Sequence, residues 1–279
     1  MANRLGPKTQ GKPNPCKEDG ILAVLGTQRY RAGMSAQNLD CGGYCRDCGQ
    51  EHTLAAEPAL PLALDLLAEL ERRGGIGPDP RLSLDDLYGP ARGQMFGVLK
   101  YRDEEGNQGV LKAFSGQYNG LWHVPGWVAP ILDAAEFARV IRFDEPRIKD
   151  LTLRMRGLQE VDPLRLVMLA QRRDLSRNLM ERIFTLYQLT NFRGQTRAMA
   201  EVYTGKAMPA GTGECCAPKL LHHAAVHGLT PLGLAEFYVG RENRSVTRRH
   251  GEFFAPCAEK CRPILGFLLC GLEERTVRT

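Results

Sequence analysis

Nine cysteines stand at positions 16, 41, 45, 48, 215, 216, 257, 261 and 270, and most of them fall into two tight groups. In the first, the segment CGGYCRDCGQEH places Cys41, Cys45, Cys48 and His52 at spacings of x3, x2 and x3. Thiolates and an imidazole this close together suit a small zinc knuckle. Gly42, Gly43 and Gly49 give the loop its tight turns, and Cys16 is an alternative to His52 as the fourth ligand. In the second group, Cys257 and Cys261 are one helical turn apart, so both sulfurs can share a face. Cys215 and Cys216 follow GTG at an expected helix start, where the dipole and free N–H groups favour thiolate. Three thiolates plus a water make an open zinc site, and four make a closed structural one. Glu214, beside Cys215, is then placed to move protons for a zinc-acidified water.

These residues need elements to hold them. Residues 57–73 read as an amphipathic helix carrying Leu62, Leu64, Leu66, Leu67 and Leu70, stopped by GGIGPDP. Met95–Arg102 and Gly109–Phe114 read as a β-hairpin around DEEGNQ. The loop SGQYNGLWHVPGWVAPILD has aromatics suited to core packing. Residues 145–190 read as helical, with Leu175, Leu179, Ile183 and Leu186 in one stripe, and 197–204 as a strand. A helix from the CC pair to Gly228, a strand over PLGLAEFYVG, a basic loop and a final helix starting at Pro256–Cys257 complete the chain. The expected fold is mixed α/β: a small sheet packed with helices, with a helical insertion over about 140–195. The expected divisions are a flexible tail over 1–20, a cysteine-rich metal module over 21–56 and an α/β domain over 57–279.

With 279 residues, 43% hydrophobic and 25% charged, the composition is that of a folded globular chain. No apolar run is long enough to span a bilayer. The N-terminus lacks the apolar core of a secretory signal. Both features imply a cytoplasmic protein with reduced thiols, in which clustered cysteines serve metal binding or catalysis. The net charge of +5 permits a polyanionic partner. Between 147 and 182, nine Lys/Arg face five Asp/Glu, so this stretch can follow a phosphate backbone or form a solvated helix face. Arg172, Arg173, Lys219, Arg244, Arg248, Arg249 and His250 are the candidate nucleic-acid contacts. His223 and His227, four apart, are a further candidate pair for a metal.

The strings GTGECCAPKLLHHAAVHGLTPLGLAEFYVG and RRHGEFFAPCAEKCRPILGFLL, with the hairpin MFGVLKYRDEEGNQGVLKAFSG, resemble the N-terminal extension of long bacterial pseudouridine synthases of the RluA type. The resemblance covers roughly residues 93–272. It implies RNA (tRNA or rRNA) as partner, and a pseudouridine synthase beside it. Arg142 and Asp144 have the Arg-x-Asp spacing of the synthase motif but not its context, so the likeness is to the extension without the synthase's catalytic domain.

The order of elements is also similar to that of zinc nucleobase deaminases, which set a ligand and a Glu at one helix start and Pro-Cys plus a second Cys at the next. On that analogy Glu214 is the proton shuttle and Cys215, Cys257 and Cys261 are the zinc ligands, with Cys216 an alternative. Two positions depart from it: Thr212 stands where the first ligand is expected, and the second helix has Cys-x3-Cys. Cys41, Cys45 and Cys48 also have the spacing of radical S-adenosylmethionine iron–sulfur enzymes. The expectation is therefore a protein with one or two zinc ions, associated with RNA and acting as a deaminase-like hydrolase. The alternatives are a non-catalytic RNA-binding module for an RNA-modifying enzyme and an iron–sulfur enzyme.

Overall fold

The computed structural model describes residues 39–276; the expected tail and Cys16 lie outside them. The first element is a hairpin of β1 (Cys41–Cys45) and β2 (Gln50–Leu54). Helix α1 (Leu60–Arg73) buries Leu60, Ala63, Leu66 and Leu70 and ends on Gly74 in the left-handed region, the expected stop. A short helix α2 (Asp85–Tyr88) leads into β3 (Gln94–Arg102) and β4 (Gln108–Phe114).

These two strands join β7 (Thr230–Val239) and β8 (Phe253–Phe254) in an antiparallel sheet of order β4-β3-β7-β8. Strand alternation gives the sheet two faces. One carries Met95, Gly97 and Leu99 beside Tyr238, Glu236 and Leu234. Helix α7 (Cys216–Val226) packs on it so closely that a Cβ on Gly97 would meet the Cys216 Cβ at 2.6 Å. The other carries Phe96, stacked on Phe237 at 6.0 Å and edge-on to Trp127 at 5.6 Å. Trp127 comes from the aromatic loop, whose rings pack in the core as their size predicts. The fold is mixed α/β, as expected.

The helical region is more broken than its periodicity suggests. It consists of α3 (Ala134–Ile141), α4 (Asp144–Met155) and α5 (Pro163–Phe184). Pro163 has no N–H to continue a preceding helix, and the Asp162 side chain accepts from Leu164 N, so a new helix starts there. Residues 188–190 form β5 and pair with β6 (Thr196–Ala198). The expected strand over 197–204 is cut short by the single helical turn α6 (Met199–Val202).

The helix expected to begin at Pro256–Cys257 is α8, which spans Arg262–Leu269. Pro263 sits in its first turn, where a missing N–H costs nothing. Cys257 lies on the preceding turn, and Cys261 is the N-cap. The short helix α9 (Leu272–Thr276) follows.

The β1–β2 hairpin shares one core with α8 rather than standing apart. Strand β1 lies against α8 backbone to backbone: a Cβ on Gly43 would collide with Arg262 O, and one on Gly266 with the Tyr44 carbonyl. Only glycine at both positions allows that approach. No helix among the described residues is long and apolar enough to cross a membrane.

Candidate metal centres and the groove beside them

Helix α8 has a sulfur cluster at each end. At its N-terminus Cys215, Cys257 and Cys261 come together, their sulfurs all within 4.8 Å of one another. Two elements bring this about. Cys215 is the N-cap of α7, and Cys261 N donates to Cys257 O at 3.2 Å, closing a turn that stacks the last two thiols 3.4 Å apart. Tetrahedral zinc with bonds of about 2.3 Å spaces its sulfurs by about 3.8 Å, so this donor set already fits such an ion.

Sharing of protons among the three thiols reverses one expectation. The helix start does not lower Cys215; its pKa is pushed up as it donates to Cys257. Cys257 is the thiolate, drawn down to about 2 by the Cys215 and Cys261 thiols and by the Lys260 and Cys261 backbone N–H groups. Cys261 is raised by the same sharing and by burial. Cys216 is buried under the sheet and donates to Met95 O at 3.3 Å, outside the cluster.

At the C-terminal end of α8, Cys45, Cys48, His52 and Cys270 converge within 4.8 Å. Cys45 ends β1, Cys48 lies in the hairpin turn, and His52 faces Gly43 across the hairpin. The absence of a side chain on Gly43 lets α8 approach with Cys270 at its end. His52 Nε2 is 3.0 Å from Cys48 Sγ. Its buried Nδ1 has no hydrogen-bond partner among the described residues and lies 3.7 Å from Glu273 Oε1. One ring nitrogen toward the ligand group and the other toward a carboxylate is the usual setting of a metal-binding histidine. Burial opposes ionisation of Cys48, but hydrogen bonds from His52 and its neighbours bring its pKa to about 7. Cys270 is pushed up to about 12 by burial and by Cys48. Both clusters can hold a metal ion.

Cys41 is not part of this group, although its spacing suggested it. Three residues of strand separate it from Cys45, four rises or about 13 Å of extended chain, and it is buried in the core with its pKa raised by desolvation. The three-cysteine convergence that an iron–sulfur enzyme of the radical type needs is therefore not formed. Cys270 was missed because only the fold brings it to Cys48. No spacing rule reaches across the chain.

Glu214, next to Cys215, is held in place from two sides. Gly116 N donates to its backbone carbonyl at 2.7 Å, and Tyr187 OH donates to Oε1 at 2.8 Å. The Tyr187 pKa is pushed well up by burial and by Glu214, so the phenol keeps its proton. Glu214 and Tyr187 line a cavity of about 160 Å³ with Phe137, Ile183, Phe184 and Thr212.

A second carboxylate escaped the sequence reading. Glu236 on β7 is buried, accepts from Ala217 N at 2.8 Å and has its pKa raised by desolvation to about 7. A charge in the middle of the apolar run LGLAEFYV was the available signal.

An open groove of about 400 Å³ lies at one end of the sheet's strands, lined by Arg92, Gln94, Ser115, Tyr238, Asn243, Arg244 and Arg248. Of the expected nucleic-acid contacts, Arg244 and Arg248 are here. Lys219 is not: it is 1% exposed, with Nζ donating to Phe114 O at 2.7 Å. His250 is spent on structure, with Nε2 2.8 Å from Glu71 and Nδ1 accepting from Gly240 N. Arg249 pairs with Glu242, Arg172 donates to Thr152 Oγ1, and Arg173 lies 3.8 Å from Asp174, the last two on α5. His223 and His227 stack on each other, and among the described residues neither belongs to a cluster that could hold a metal.

No protein family, no curated protein and no solved structure matches the chain.

Proposed function

We propose that the chain is a zinc-dependent, RNA-associated hydrolase of the deaminase kind, with Cys215, Cys257 and Cys261 as an open metal centre and Glu214 as the proton carrier. The observation that carries this reading is a three-thiol set, short of one ligand for a tetrahedral ion, whose Cys215 directly follows Glu214, a carboxylate held at the wall of a cavity. The resemblance to the extension of RluA-type synthases, resting on its own motifs, supplies RNA as the substrate class.

Zinc bound by the three thiolates would supply Lewis acidity toward water at neutral pH. Glu214 then takes a proton from the water that adds to the amino-bearing ring carbon. It passes that proton to the neighbouring ring nitrogen and then carries the hydroxyl proton to the departing amino group; the C–N bond breaks, ammonia leaves and a ring carbonyl remains. Tyr187 holds Glu214 by its phenol hydrogen bond. Phe137 and Phe184 exclude bulk water from the cavity. The second cluster, with four donors, has no ligand position left over, which suits a structural zinc tying the hairpin to the end of α8.

The test is Glu214→Gln, with metal content measured alongside. Oligoribonucleotides containing cytidine and adenosine are incubated with both proteins, digested and analysed by mass spectrometry for uridine and inosine. The reading expects turnover by the wild type and its loss, by a factor of 100 or more as an order of magnitude, in the metal-replete variant.

A second reading, a non-catalytic RNA-binding module serving a pseudouridine synthase, is favoured by one observation. The arginine-lined groove shares no residue with either metal cluster. RNA binding without turnover by either protein would select it.

A further inference from the structure

The groove at the strand ends has a composition of its own. It presents three guanidinium groups, Arg92, Arg244 and Arg248, with the amides of Gln94 and Asn243. None of the three arginines is ion-paired with a carboxylate among the described residues, whereas the neighbouring Arg249 is paired with Glu242. Two of them are held by the backbone. Arg92 sits in the left-handed region at φ 66° and donates from Nη1 to Glu242 O at 2.6 Å. Arg248 N donates to Asn243 Oδ1 at 3.0 Å, and its guanidinium lies 5.9 Å from the Phe254 ring centre. Arg92 and Arg248 are half-buried and Arg244 is exposed; a cluster of like charges without an ion pair is stabilised by an anion, and the planar fork of arginine suits phosphate oxygens.

The groove also adjoins the proposed reaction site. Ser115 lines the groove, and the next residue, Gly116, donates to the Glu214 carbonyl; a Cβ there would lie 3.6 Å from Glu214 Oε2. Residues 115–116 thus run from the lining of the arginine groove to contact with Glu214, which itself lines the cavity. The groove floor, Met95, accepts from the Cys216 thiol beside Cys215.

We propose that this groove binds a backbone phosphodiester of single-stranded RNA through Arg92, Arg244 and Arg248, so that a base on the same strand reaches the Glu214 cavity. This rests on reading Glu214 and the three thiols as a base-modifying site. An open groove lets the strand enter and leave, where a mononucleotide site would be closed around its ligand.

The experiment is fluorescence anisotropy of a fluorescein-labelled single-stranded oligoribonucleotide across 50–200 mM salt, chosen to span the range in which phosphate contacts are screened. It uses the full chain as wild type, Arg244→Ala/Arg248→Ala, the charge-retaining Arg244→Lys/Arg248→Lys, and Glu214→Gln. The alanine pair should weaken binding about a hundred-fold, roughly ten-fold per lost charged hydrogen bond. It should also flatten the log–log salt slope by about 1.4, or roughly 0.7 per phosphate contact. The lysine pair should recover most of the slope and only part of the affinity.

Unchanged affinity and slope in the alanine pair would overturn the proposal. So would tighter binding of uridine monophosphate than of the oligonucleotide in competition, which would make the site one for a free nucleotide. Glu214→Gln separates this proposal from the catalytic reading beneath it. Retained binding with lost turnover supports both. Retained binding with undiminished turnover removes the catalytic role of Glu214 and leaves the groove standing.

Discussion

Replacing Cys270 and Cys41 in turn sets the fold against the spacing rule, because spacing chooses Cys41 as a ligand and the fold chooses Cys270. Both are fully buried. In Cys270→Ser the four-donor set of Cys45, Cys48, His52 and Cys270 is reduced to three. Loss of a group that only orients a ligand costs 10–100-fold in metal affinity, so loss of a ligand should cost at least about a hundred-fold, or roughly 3 kcal/mol. Metal affinity for a folded site is folding free energy. At about 2–4 °C per kcal/mol for a chain of this size, the unfolding midpoint should fall by roughly 6–12 °C. Cys41→Ala removes one buried sulfur atom and should cost about 1 kcal/mol by lost packing.

The assay is elemental analysis with thermal unfolding, each with and without a chelator. Wild type and Cys41→Ala should both hold two metal ions per chain, and Cys270→Ser one. Chelation should bring the wild-type midpoint down past that of Cys270→Ser, because it empties both centres. Two ions in Cys270→Ser together with one in Cys41→Ala would refute the reasoning.

Tyr187→Phe removes the hydrogen bond that holds Glu214; single-turnover kinetics should show a roughly ten-fold slower chemical step with metal content unchanged. His222 carries the pH prediction: its Nδ1 accepts from Thr190 N, and burial, with His223 and His227 nearby, lowers its pKa to about 4. Because the neutral ring is the folded form, its contribution of up to about 3 kcal/mol is present above pH 6.5 and is lost as the pH falls through 4. The difference in urea midpoint between wild type and His222→Gln should therefore change across that window; a constant difference would contradict the buried neutral ring. Gly266→Ala forces a Cβ into the Tyr44 carbonyl, and calorimetry should show a loss of at least about 1–3 kcal/mol. Lys219→Met should leave the salt slope of RNA binding unchanged, since Nζ is turned inward to Phe114 O.

Local physics explains what was legible in the sequence. The α1 stripe with its Gly74 stop, the β3–β4 hairpin and the α7 helix ending at Gly228 each follow from periodicity and a terminator a few residues away. The set Cys215, Cys257 and Cys261 was also legible, as two motifs each placed at a turn or helix start. Spacing also put His52 with Cys45 and Cys48, with Cys16 as an alternative; the β1–β2 hairpin is what folds His52 back to them.

The tertiary structure decided the rest. Cys270 replaces Cys41 because the strand carries Cys41 about 13 Å from Cys45, while two facing glycines let α8 lay its C-terminus against the hairpin. Lys219 and His250 looked like phosphate contacts by residue type. Burial of one and the pairing of the other with Glu71 are properties of neighbours distant in the chain. Arg92 acquires its place in the groove, beside Arg244 and Arg248, only because β3 and β7 are paired so that Gln94 meets Val239. Spacing along a chain limits which atoms can meet within one turn or hairpin; sheet register and close helix packing decide which meet across the molecule.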